Sequence, residues 1–93
     1  MINELSINQQ FKIYLFTSYL YYKEDVSAIK DNEFDLLCKN LLENWDNITH
    51  YHKNLINKSD LEAGTGFAIQ YPTIVIGAAK AWYRDRMGIR RYE

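Results

Sequence analysis

Residues 6–23, "SINQQFKIYLFTSYLYYK", contain no glycine or proline and place apolar side chains in almost every direction around a helical axis. Phe11, Tyr14, Leu15, Ser18 and Tyr22 follow helical spacing, while Ile13, Phe16, Tyr19, Leu20 and Tyr21 fill most of the remaining directions. Only a strip through Lys12 and Lys23 is left for water. A helix of this kind must bury more than one face. It has to be wrapped by the rest of the chain, by a partner protein, by a second copy of itself, or by a ligand. Ser6 is placed to cap its start.

A second helix is expected from Asp31 or Asn32 to about Asn47. Phe34, Leu37, Cys38, Leu41, Leu42 and Trp45 keep one apolar stripe, and Lys39, Asn40, Glu43, Asn44 and Asp46 face away. The short connector Glu24–Lys30 makes the two an antiparallel hairpin. Ile48 to Lys58 reads as a further short helix, and "EAGTGFAIQYP" as a loop or extended stretch. Pro72 suits the first turn of a C-terminal helix stopped by Gly88. The β-branched run Thr73–Ile76 also suits a strand, but its only partner would be Phe67–Tyr71, so helix is preferred. The 93 residues therefore predict one small, mainly α domain: a hairpin over about 6–47, a variable middle over 48–71, and a helix over about 72–88 that covers the hairpin.

Charge is unevenly spread. Residues 1–63 hold six lysines against ten acids, and residues 64–93 hold five basic residues against two acids. The arginines of "RDRMGIRR" have no matching basic surface elsewhere, which argues against nucleic acid as a partner and for pairing with the acidic hairpin. Cys38 is the single cysteine, so no internal disulfide forms, and a reducing cytoplasm fits. No apolar run is long enough to span a membrane. His50 and His52 lie two apart, on different faces of any helix, with no matching acid spacing for a metal. "GTG" at 64–66 is too short for a phosphate loop and reads as a turn. The heavy use of Asn, Ile, Lys and Tyr is that of AT-rich genomes, many viral ones among them, and fits a small phage protein.

In an antiparallel hairpin, Tyr21 and Tyr22 come near Asp31, Phe34 and Asp35. Asp31 and Asp35 share one face of the second helix. Rings beside two carboxylates suit a flat, cationic, hydroxylated ligand, because rings stack on the cation and carboxylates accept from sugar hydroxyls. The same two acids also suit a bland role, Asp31 as an N-cap and Asp35 against the helix dipole. Tyr14 and Tyr19 read as core or rim.

The stretch "YLYYKEDVSAIKDNEFDLLCKNL", residues 19–41, resembles the N-terminal helical hairpin of bacterial NAD-dependent DNA ligases. There the pattern is Y-x-Y-[HY]-x-x-D-x-P-x-[IVM]-x-D-x-E-Y-D-x-L-x-x-E-L. Tyr19, Tyr21, Asp25, Ile29, Asp31, Glu33, Asp35, Leu37 and Leu41 match it without a gap. The resemblance covers about a quarter of the chain. It implies that Tyr21 stacks on the nicotinamide ring and that Asp31 and Asp35 hold the nucleotide, with Tyr22 and Phe34 beside them. Phe34 replaces the family's second tyrosine and Ser27 its proline. The adenylating K-x-D-G motif is absent, as are the zinc cysteines, so the chain is not expected to act as a ligase or as any enzyme. The resulting expectation is a small protein that binds nicotinamide mononucleotide (NMN) or NAD. The alternative is a viral or accessory module that reuses the hairpin against a host protein.

Overall fold

The computed structural model describes residues 4–50, 52–56, 58–63 and 69–87. Among the described residues four α-helices form, α1 (Ile7–Lys23), α2 (Asp31–Glu43), α3 (Lys58–Ala63) and α4 (Thr73–Met87), and no strand occurs.

Ser6 starts α1 as its composition predicts. Its hydroxyl accepts from the Gln9 N–H at 3.1 Å, and the Gln9 side-chain oxygen accepts from the Ser6 N–H at 2.9 Å. This reciprocal box satisfies two of the amides that a helix start leaves open. The far end stops at a residue in the left-handed region, Asp25 with φ 59°. There the chain turns back, and the Val26 N–H reaches the Leu20 carbonyl at 2.8 Å.

The excess apolar surface of α1 is covered by the chain itself. One side packs on α2 and another on α4, while α3 packs on α2. Phe11, Tyr14, Leu15, Phe16, Tyr19 and Leu20 are all buried as a result. Two contacts give the hairpin its direction. Gln10 accepts from Asn40 at 3.0 Å, and the Tyr14 ring stacks on Phe34 at 5.6 Å, so positions rise along α1 as they fall along α2. Of the predicted stripe Leu37, Cys38 and Leu41 are buried, and Phe34, Leu42 and Trp45 pack half-buried against the core, whereas Asn40, expected to face away, turns toward α1 to reach Gln10.

Two boundaries differ from expectation. α2 ends at Glu43 and is followed by a 3-10 turn over Trp45–Asn47. The cause is local: Asn44 bonds the Asn40 carbonyl with both its backbone N–H (3.1 Å) and its side-chain amide (3.0 Å). The side-chain amide thus shares with the backbone N–H one of the carbonyls at the end of the helix, and Asn44 serves as its C-cap. Residues 48–58 do not form one helix either. They hold a 3-10 turn at Lys53–Leu55, and α3 begins only at Lys58. Asn8 pins this segment to the start of α1, accepting from the Thr49 N–H at 2.9 Å and donating to its hydroxyl at 2.8 Å.

α4 is helical from Thr73, so the β-branched run joins a helix. The Pro72 carbonyl accepts from Val75 and Ile76, both at 3.0 Å. Val75 and Ala79 are buried one turn apart, and Trp82 meets Phe16 at 5.9 Å. The expected Gly88 stop and the 64–66 turn lie outside the described residues.

Ser18 sits at 0 % exposure in the core, and its hydroxyl has no hydrogen-bond partner among the described residues. Leaving such a group unpaired costs on the order of 1–3 kcal/mol, and alanine is also the better helix former. Ser18→Ala is therefore expected to hold or raise the thermal midpoint. A fall equivalent to more than about 1 kcal/mol would mean that the hydroxyl has a partner.

Candidate functional site

At the connector end of the hairpin lies a cavity of about 290 Å³. It is built from three consecutive pieces of chain. α1 contributes Thr17, Tyr21 and Tyr22, spaced so that one turn of helix faces inward. The connector contributes Ser27, Ala28 and Ile29, and α2 contributes Asp31, Phe34 and Asp35. The five residues expected from the sequence, Tyr21, Tyr22, Asp31, Phe34 and Asp35, thus all line one cavity.

Their settings differ. Phe34 is half-buried and held by its stack on the buried Tyr14 ring, so it forms a fixed wall. Tyr21 is 53 % exposed, and its ring meets Tyr22 edge-on at 4.9 Å. Its ring is thus both part of the cavity lining and open to solvent. Asp31 and Asp35 are exposed and four residues apart, so both carboxylates lie on the same side of α2. The N-cap position of α2 is Lys30, with its N–H donating to the Glu33 side chain at 3.1 Å. Asp31 is the first helical residue rather than the cap.

Two neighbours shape the site without lining it. Tyr19 is buried, donates its hydroxyl to the Glu24 carboxylate, and packs edge-on to Tyr71 at 5.4 Å. The bond to Glu24, then burial, then the Glu24 charge push its hydroxyl up to about 12. Glu24 also lies 3.8 Å from the Lys80 ammonium of α4. Tyr14 and Tyr19 are therefore core residues that hold the end of α1 in place. Cys38 is buried on the α2 stripe, and burial followed by the Asp35 charge pushes its thiol up to about 11. A thiol so raised is a packing group rather than a nucleophile.

The sequence reading missed Thr17 and the connector residues. Thr17 donates back to the Ile13 carbonyl at 2.8 Å, and its only sequence signal is a position one turn before Tyr21. The connector's signal was the matching position Ile29, which identified the turn but not its part in the wall.

Elsewhere, the His50 and His52 rings stack at 5.4 Å. Burial, then His52, then Lys12 push His50 below the usual imidazole value. Among the described residues no group of three His, Cys, Asp or Glu side chains could hold a metal ion. None of the described helices is long and apolar enough to cross a membrane. Of the tail arginines, Arg86 lies over the Trp82 ring at 5.4 Å, while Arg90 and Arg91 lie outside the described residues.

No protein-family model matches this chain, and no curated protein or solved structure matches it.

Proposed function

We propose that the protein is a small non-catalytic binder of a nicotinamide nucleotide, NMN or NAD, taken up through its nicotinamide–ribose half. The observation that carries this reading is a cavity lined both by Tyr21, Tyr22 and Phe34 and by Asp31 and Asp35. Rings supply stacking for a pyridinium, and carboxylates accept from ribose hydroxyls. At about 290 Å³ the cavity is at the small end of ligand sites, which suits one ring and one sugar rather than a whole dinucleotide. The resemblance of residues 19–41 to the ligase hairpin supports the same ligand. These 93 residues contain no K-x-D-G lysine to take an adenylyl group, so the ligand is bound and not consumed.

Calorimetric titration with NMN, NAD and ATP tests the proposal. NMN and NAD are expected to give heat, and ATP, without a pyridinium, none. Asp35→Asn keeps the size and removes the charge, and should weaken binding by about 1.5–3 kcal/mol. Tyr21→Ala should lose about 0.5–2 kcal/mol of stacking. Asp46→Asn, in the 3-10 turn beyond α2, should be silent. Absence of heat at millimolar NMN and NAD overturns the reading. The interaction-module alternative would then stand first, favoured by Ile74, which is 66 % exposed on α4.

A further inference from the structure

A second, smaller cleft lies nearer the start of α1, where α1, α4 and the irregular segment after α2 meet. Lys12 of α1 lines it together with His50 and His52 of that segment, and no acid does so among the described residues. We propose that this cleft is a binding site for a compact tetrahedral oxyanion, of the phosphate or sulfate type. It stands independently of the nicotinamide reading, since Lys12 and Tyr21 are separated by about 13 Å along the axis of α1.

Three observations carry it. The first is convergence. Two elements distant in sequence bring a lysine and two imidazoles to one place, and the fold fixes them there. Asn8 holds Thr49 at the start of α1, Phe11 meets the His50 ring at 5.3 Å, and the His52 N–H donates to His50 Nδ1 at 3.1 Å. The second is the field. Burial, then His52, then Lys12 hold the His50 imidazole below its usual value, so the two basic neighbours already act on that ring. An anion among these groups offsets their mutual repulsion. Val75, in the first turn of α4, also lines the cleft, which adds the positive end of that helix's dipole. The third is size. The cleft holds about 70 Å³, far below the ~300 Å³ at which sites for drug-sized ligands begin. That admits a group of a few atoms. Its floor of Leu15, Phe16 and Val75 is buried and apolar, so polar recognition falls to the lysine and the two imidazoles.

The sign of the pH dependence follows from charge. An oxyanion favours the charged imidazole, so binding raises the His50 midpoint. By reciprocity, affinity rises as the pH falls toward that midpoint. The charged groups acting on His50 are Lys12 from α1 and His52 from its own segment, while α4 presents only apolar side chains to the cleft.

Proton NMR of the histidine rings, titrated against pH in sulfate and in chloride at equal ionic strength, tests this. Sulfate keeps its charge across the histidine range, so any change belongs to the protein. It should raise the His50 midpoint and bind about fivefold tighter to the charged ring than to the neutral one, the upper scale for one ion pair near a surface. Lys12→Glu, at an exposed position, should abolish the sulfate effect and itself raise the midpoint, with circular dichroism confirming the fold. Lys39→Glu, on the exposed face of α2, should change neither. A midpoint unmoved by sulfate, or moved equally in the Lys12→Glu variant, overturns the site. Inorganic phosphate and phenyl phosphate, compared at one pH, then name the source. Tighter phosphate means the free ion, tighter phenyl phosphate means a phosphate carried on an apolar body, and binding of neither overturns the proposal.

Discussion

Phe11→Ala is expected to destabilise the protein by about 3–5 kcal/mol, the usual cost of emptying a buried aromatic site. Phe11 is 0 % exposed and its ring meets His50 at 5.3 Å, so it joins α1 to the irregular segment after α2. Among the described residues the segment is also held by the Asn8–Thr49 pair, by the burial of Ile48 and Ile56, by Leu55 packed on the core, and by Lys53 over the Trp45 ring. Domains of this size are stable by only about 5–15 kcal/mol, so the variant should be partly unfolded at room temperature. Urea unfolding followed by circular dichroism measures the loss. Phe11 does not line the cavity, so ligand heat should fall only with the folded fraction. A midpoint within error of the unmodified protein would show that residues 48–56 do not depend on this ring.

Leu41→Ala is the second large effect, at about 2–5 kcal/mol. Leu41 is 0 % exposed on the α2 stripe, and α2 is the helix that contacts both α1 and α3. Removing three carbons there leaves a void that two neighbouring helices must close together, which favours the upper part of the range. Lys39→Ala, on the exposed face of the same helix, should stay within about 0.5 kcal/mol. Equal effects from the two variants would mean that the inward face of α2 has been misassigned.

The helices and their faces were legible because local chemistry and apolar period agree there. Ser6 and Gln9 cap α1, and the stripe from Leu37 to Leu41 points α2 inward, as their spacing implies. The candidate site was legible for a related reason. A short connector forces the end of one helix beside the start of the next, so Tyr21 and Asp35 are neighbours by geometry alone. Thr17 was not legible, because nothing in a lone threonine distinguishes a wall position from a helix residue that bonds its own backbone.

The wrapping of α1 shows the division most plainly. Its sequence determined that more than one face must be buried, since too few directions around the helix are polar. What would cover those faces was open among a partner, a ligand and the chain itself. Only the tertiary structure decided, by laying α2 on one side and α4 on another. The same holds for residues 48–56, where Asn8 holds Thr49 from 41 positions away. Helical period is a property of neighbours in sequence and can be read from them. A side chain's choice between a nearby carbonyl and a distant partner depends on what the fold brings within 3 Å, and no local pattern records it.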